Sequence, residues 1–373
     1  MLDLMGSTPV LSAAPLVEQM QSLAHRPEIM CKLESTNPGW SVKARPAINM
    51  IEQAEARGDI GPNTSIIESS SGNTAIAIAM VAAIKGYHFM PVVDVKMPKG
   101  KLDLLRIFGA DVQLVGDPNI PPEEQSMVEL KIERRATVER LVNELGKNAF
   151  SPNQYANPDN AGAHMLSTGP ELLEQVGADL DALLIPMSTG GQIDGIGRFM
   201  KEHLPNLRLI GVEPIGSTIL AQQEAGDYYN AGSGLDYTPT PVGRMLHDGL
   251  VDDVMVVPDY DSFRASRILA KTTGALLGPS TGMQMFAALS LAQARPDLKR
   301  IAMVACDDGR AYVPDMMDAK AAEGATDSIE EFEAHLARYA EERAATPAWV
   351  KPPAAVGSAD STEDYEEEAA AAA

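Results

Sequence analysis

Apolar positions along the chain fall into two alternating rhythms. Short runs rich in Ile, Val and Leu occur at 29–33, 65–68, 88–95, 111–115, 181–187, 207–212, 252–257 and 300–305. Their length and their β-branched content predict buried strands. Between them, at 47–58, 74–85, 101–108, 194–204, 261–272 and 282–293, the pattern is helical, and Gly58 ends the first of these helices. Strands alternating with helices of about three turns predict βαβ units and a parallel sheet covered on both faces. The segment 116–122 breaks the rhythm, and 123–145 is a charged, helix-forming stretch.

Beyond residue 325 the character changes. Ser328-Ile329-Glu330-Glu331 forms a capping-box pattern, and Phe332, Leu336 and Tyr339 share one helical face. From 346 onward the chain is rich in Pro, Ala and Glu and reads as disordered, with no catalytic role.

With 373 residues, 45% of them hydrophobic, the chain can build one large α/β unit or two lobes with separate cores. A net charge of −22 argues against nucleic acid or an anionic membrane surface as partner. No apolar run approaches the ~20 residues that span a bilayer. The N-terminus lacks a basic region followed by an apolar one, so a cytoplasmic protein is expected. Cys31 and Cys306 sit in apolar runs and read as buried small hydrophobes; no metal site is expected.

Chemistry concentrates in four stretches. Asn37-Pro38-Gly39-Trp40-Ser41-Val42-Lys43-Ala44-Arg45-Pro46 joins a strand to a helix, with Ser41 as N-cap candidate and Lys43 in the first turn. The positive end of a helix, together with desolvation, turns such a lysine into a neutral amine able to form an imine. Ser188-Thr189-Gly190-Gly191-Gln192 follows a strand and precedes a helix, which gathers backbone N–H groups into an anion site. Its spacing is not that of a dinucleotide fingerprint. The other two stretches are Ser69-Ser70-Ser71-Gly72-Asn73-Thr74 and Gly278-Pro279-Ser280-Thr281-Gly282.

In order and spacing, these four stretches resemble the pyridoxal-phosphate enzymes of the cysteine synthase and cystathionine β-synthase family. The resemblance covers residues 8 to 313, starting from the Thr8-Pro9 turn. It implies a fold-type-II α/β architecture: two three-layer lobes with mostly parallel sheets and pyridoxal 5′-phosphate in the cleft between them. The larger lobe would comprise 1–45 plus 156–325 and the smaller 46–155, with 326–373 as an acidic tail containing a short helix.

By the same resemblance Lys43 is the imine lysine, and Ser188, Thr189, Gly190, Gly191 and Gln192 cup the phosphate. Asn73 lies beside the ring hydroxyl and Ser280 faces the ring nitrogen. Ser70, Ser71, Gly72, Thr74 and Gln154 bind the substrate carboxylate, and Gly232 lies at the mouth. His164 matches a family histidine and reads as structural. The implied chemistry is β-replacement on an O-activated L-serine through an aminoacrylate, with small amino-acid substrates and a homodimeric assembly.

Several positions depart from the family. Gln192 stands where threonine is common, Ser70 replaces threonine, and Ser233 replaces isoleucine in the segment 232–239. The stretch Met97-Pro98-Lys99-Gly100-Lys101-Leu102 replaces Met-Ser-x-Glu-Arg-Arg. It resembles instead the branch that makes N-(2-amino-2-carboxyethyl)-L-glutamate from O-phosphoserine and glutamate, as does Asn153-Gln154-Tyr155-Ala156-Asn157. Sulfide, giving L-cysteine, is the expected acceptor. An amino-acid amine, met by Lys96, Lys99 and Lys101, is the alternative, and a non-catalytic cofactor-binding regulator is the reading from another class.

Overall fold

The computed structural model describes residues 1–220, 224–235, 237–317 and 327–344. Ten strands are found among them: β1 (Val10–Ser12), β2 (Glu28–Leu33), β3 (Ser65–Ser69), β4 (His88–Asp94), β5 (Gln113–Val115), β6 (Ala149–Phe150), β7 (Ala182–Pro186), β8 (Arg208–Pro214), β9 (Asp253–Val257) and β10 (Arg300–Ala305). They form a six-stranded sheet of order β1-β2-β10-β7-β8-β9 and a four-stranded sheet of order β5-β4-β3-β6. Every neighbouring pair is parallel except β1 with β2. The α/β architecture and its mostly parallel sheets are those expected from the sequence.

Continuous apolar strands follow from this layering, because helices cover both faces of a parallel sheet. All five residues of β7 and of β9 are buried. The helix Pro279–Ala294 is buried from Pro279 through Ala292, so it behaves as core rather than as an amphipathic surface element.

The helix starts shift, and the shifts matter for the site. Pro279 occupies the first turn of its helix, where a missing N–H costs nothing, so Ser280 and Thr281 are helical rather than in a loop. The helix Gly191–His203 likewise begins earlier than 194 and takes in Gly191 and Gln192. Lys43 is the N-cap of Ala44–Arg57, one position before the first turn. The charged stretch 123–145 divides into a 3₁₀ turn, Pro122–Glu124, and the helix Met127–Leu145. Ser126 caps this helix by accepting the Glu129 N–H.

The tail helix spans Ile329–Ala344. The Ser328 hydroxyl accepts the Glu331 N–H at 3.2 Å, as the capping box predicts. Phe332, Leu336 and Tyr339 join the main core of the six-stranded sheet. Phe332 and Tyr339 meet Phe286 edge-on, with centroids 5.9 and 5.0 Å apart. This helix is therefore an integral part of the core. The stretch from 346 lies outside the described residues.

Candidate active site

Segments that follow the C-terminal ends of β2, β3, β7 and β10 converge on a cavity of about 440 Å³. That is where open parallel sheets place their ligands. Lys43 enters it from a loop stitched to the end of β10: Val42 N–H donates to the Cys306 carbonyl at 2.7 Å, and Ser41 bridges Asp307. The Lys43 N–H donates to Ser41 Oγ at 3.3 Å. Burial lowers the Lys43 pKa from its ordinary value, while Cys306 and Asp307 push it back upward. The cause is desolvation.

Two residues beyond Lys43, Arg45 locks the segment to the six-stranded sheet. Its guanidinium bonds Glu34 at 2.6 and 2.8 Å and Glu171 at 2.7 Å through both terminal nitrogens. Lys32 Nζ joins at 2.8 Å to Glu171, and Thr8 and Asn37 each donate to Glu34 at 2.7 Å. Arg45, Glu34 and Lys32 are all buried, so no water replaces a lost partner.

The glycine-rich turn after β7 forms the opposite wall. Gly190 has φ 85°, in the left-handed region, and a Cβ there would lie 2.6 Å from Val242 Cγ2. Ser188, Thr189, Gly190 and Gln192 line the cavity. Gly191 does not, because it packs on Asn160, whose Oδ1 would stand 2.3 Å from an added Cβ. The Cys306 thiol donates to Gln192 Oε1 at 3.5 Å, and the buried Gln192 amide nitrogen has no hydrogen-bond partner among the described residues. Asn230 Nδ2, also in the lining, likewise has no partner among the described residues. Two orphaned donors and a helix N-terminus fit the phosphate of pyridoxal phosphate. Ser280, 4% exposed, reaches the same cavity.

The third wall follows β3. Ser70, Ser71, Gly72, Asn73 and Thr74 all line the cavity, as does Gln154. Asn73 Nδ2 donates to Asp307 Oδ2 at 2.7 Å, and Thr74 Oγ1 donates to Gln154 Oε1 at 2.7 Å. Gly232, with φ 83°, lines the mouth. Ser233 spends its hydroxyl on Asn230 Oδ1 at 2.9 Å. Of the singled-out residues, Gly191 stands outside the lining, and so does His164. The His164 Nδ1 lies 2.9 Å from Thr168 Oγ1, and burial, then Arg45 and Lys43, hold its pKa well below the usual range. A structural role explains it.

Of the three lysines expected at the mouth, Lys101 lines the cavity; Lys99 is exposed and pairs with Asp103, and Lys96 is absent from the lining. Sequence reasoning missed Lys131 and Arg134, which lie in the lining on the helix Met127–Leu145. Arg134 Nη1 lies 3.0 Å from Ser71 Oγ and 3.0 Å from Asp94 Oδ2. It also missed Asn160, which ties the Gln154 carbonyl (2.7 Å) to Thr189 Oγ1 (3.3 Å). Asp307 and Tyr312, joined at 2.6 Å, were missed too. The run of charges at 123–145 and the Asp-Asp pair after β10 were the available signals.

Fold and cleft together define an α/β enzyme that binds a phosphorylated cofactor between two mostly parallel sheets. Residues 1–307 match the family model described as pyridoxal-phosphate dependent enzyme, and the chain belongs to that family. A cysteine synthase of Staphylococcus aureus is 33% identical over 313 residues, covering 83% of this chain and 94% of its own. An N-(2-amino-2-carboxyethyl)-L-glutamate synthase of Ralstonia nicotianae is 35% identical over 317 residues, covering 85% and 89%. The crystal structure of a hydrogen sulfide-producing enzyme from Fusobacterium nucleatum superposes with TM-score 0.73 at 32% identity, over 84% of this chain and 98% of that one. Among the described residues no helix is long and apolar enough to cross a membrane.

Proposed function

We propose that this enzyme performs β-replacement on an O-activated L-serine, exchanging the group on Cβ for an acceptor nucleophile. One observation carries the reading: desolvated Lys43, the Gly190–Gln192 helix start with its unpaired amide, and the Ser280 hydroxyl share one cavity. Bound there, pyridoxal phosphate supplies an electron sink that weakens the bonds at the substrate's Cα.

This chain's residues do the rest. Lys43 holds the cofactor and, once released, moves the α-proton; its lowered pKa raises the neutral fraction available as base. Thr189, Gln192 and the backbone at Gly190 meet the phosphate. Ser280 offers the ring a neutral hydroxyl rather than a carboxylate, which favours expulsion of a β-group over transamination. Ser70, Ser71, Thr74 and Gln154 orient the α-carboxylate, with Arg134 steadying Ser71.

Sulfide is the acceptor that the cysteine synthase relative suggests, and an amino-acid amine is the one that the Ralstonia relative suggests. Lys101, Lys131 and Arg134 in the lining favour the second. Sulfide needs no recognition groups, whereas carboxylates are costly to desolvate unless cations meet them. The test is single-turnover mixing of the enzyme with O-acetylserine or O-phosphoserine, followed by sulfide or glutamate. One equivalent of acetate or phosphate, then a product carrying the acceptor, is the expected result. Release from neither ester would refute the reading and would fit a non-catalytic cofactor-binding protein.

A further inference from the structure

Beside the main cleft lies a second cavity of about 310 Å³, at the low end of the roughly 300–1,000 Å³ of small-molecule sites. The two share Asn73, Lys101, Asp307, Ala311 and Tyr312. Beyond this common wall the side chamber is lined by Gly39, Trp40, Ile76, Leu104, Asp308 and Arg310. It is thus mostly apolar, with charges at its two ends.

Three observations mark it as more than a packing gap. Trp40 has φ 61°, a backbone region that a bulky side chain adopts only when its surroundings impose it, and the residue is 43% exposed on the rim. Strain of this kind concentrates at ligand clamps. Lys101 forms no salt bridge among the described residues; its ammonium lies over the Tyr312 ring at 5.0 Å, with the Asp307 and Asp315 carboxylates acting on it from further off. Asp307, 7% exposed, spends Oδ2 on Asn73 and Tyr312 and leaves Oδ1 without a partner. A cation with no carboxylate bonded to it stands at the junction of an apolar chamber and the reacting cleft.

Building on the β-replacement reading, we infer that this side chamber holds the acceptor, an amino acid whose carboxylate is anchored by Lys101. The main cleft is filled by the cofactor and the serine-derived unit, so a larger acceptor must lodge its own carbon chain next door. Trp40, Ile76 and Leu104 suit its methylenes, and the Arg310–Asp308 pair, joined through two 3.0 Å hydrogen bonds, closes the outer end. The amine then faces the common wall. In the transfer a C–N bond forms at Cβ, where the C–O bond to the leaving group has broken. The leaving group departs as its anion, and one proton of the amine passes to solvent.

The test uses the cofactor-loaded full chain with L-glutamate and sulfide as alternative acceptors. Leu104→Trp fills the chamber, and Lys101→Met removes the anchor. Each should raise the KM for glutamate at least tenfold more than it changes the sulfide reaction, Leu104→Trp most. A second readout needs no turnover: with Trp349→Phe, Trp40 is the remaining tryptophan of the two in the chain, and glutamate should quench its emission in Lys43→Ala. Equal effects on both acceptors together with unchanged emission would overturn the assignment. Failure to release any leaving group would instead refute β-replacement, so the two failures are distinguishable.

Discussion

On the bank of the cleft built from the six-stranded sheet, an added Cβ at Gly191 would lie 2.3 Å from Asn160 Oδ1 and one at Gly278 would lie 2.0 Å from Asp307 Oδ1. On the facing bank, after β3, an added Cβ at Gly72 meets nothing within 4 Å. Ionic interactions follow the same division. Arg45, Glu34, Lys32 and Glu171 fix the Lys43 segment from a mostly buried network, whereas Lys101, Lys131 and Arg134 project into the cavity from the other side. The bank that would grip the cofactor is over-determined. The bank that would meet substrate leaves room, so its residues can vary with the molecule recognised while the cofactor's position stays fixed.

The largest expected effect lies on the fixed bank. Lys43→Ala should cost at least about 10²–10⁴ in turnover, the range of a lost general base, with more from the lost covalent anchor. It should still fold, since Lys43 takes no part in the buried ionic network. Borohydride reduction followed by peptide mass spectrometry checks the role independently: the reduced cofactor must be found on Lys43. Recovery on another lysine would dissolve the contrast between the banks.

Next in size are changes that cut the fixed bank's supports. Arg45→Met strands Glu34 without its cation, and breaking a buried pair costs about 3–5 kcal/mol. Phe332→Ala, at a fully buried tail-helix position, should cost about 3–5 kcal/mol as a cavity beside Phe286. Denaturant titration measures both. A loss below 1 kcal/mol for Phe332→Ala would mean that the tail helix is dispensable to the core.

A paired substitution sharpens the comparison. Gly191→Ala should destabilise by about 1–3 kcal/mol through overpacking on Asn160. Gly72→Ala should stay within about 0.5 kcal/mol, because its backbone is extended and the space is open. Similar losses at the two positions would show that the banks are equally constrained.

How much of this was legible in the sequence follows the same division. The apolar strands and the glycine-rich turns of the fixed bank carry local signals: continuous burial gives continuous hydrophobic runs, and a left-handed turn such as Gly190 demands glycine. Strands β1 and β6, three and two residues long, have too little periodicity to register. Lys131 and Arg134 lie on a helix whose other charges face solvent, and nothing local separates the charges that turn toward the cleft. Asn160 and Asp307 act through partners outside their own segments, Thr189 lying 29 positions from Asn160 and Asn73 lying 234 positions from Asp307. Only the folded chain brings such pairs together. Lys96 and Lys99 show the converse: a lysine-rich loop reads as a charged mouth, yet it sends Lys101 alone of the three into the cavity.

The last expected effect concerns Glu68, on the open bank, and is read as a slope against pH. It lies 2% exposed on β3, and its carboxylate accepts backbone N–H groups of Asn153 and Gln154. Asn153 has φ 46°, so Glu68 steadies a left-handed turn that delivers Gln154 to the cleft. Burial raises its pKa from 4.5 to about 8, outweighing the lowering by those two N–H groups. Between these values the folded chain therefore binds a proton that the unfolded chain has released. The sign follows: Glu68's contribution to stability is fully present below pH 4.5 and is lost as pH rises through about 8. Glu68→Gln keeps a carbonyl to accept the N–H groups and cannot ionise, so it should flatten this part of the stability profile and leave the low-pH stability nearly unchanged. Denaturant titrations at pH 5, 6.5 and 8.5 read the slope. An identical pH dependence in wild type and variant would show that Glu68 titrates at its ordinary value and that the open bank is wetter at β3 than its burial implies.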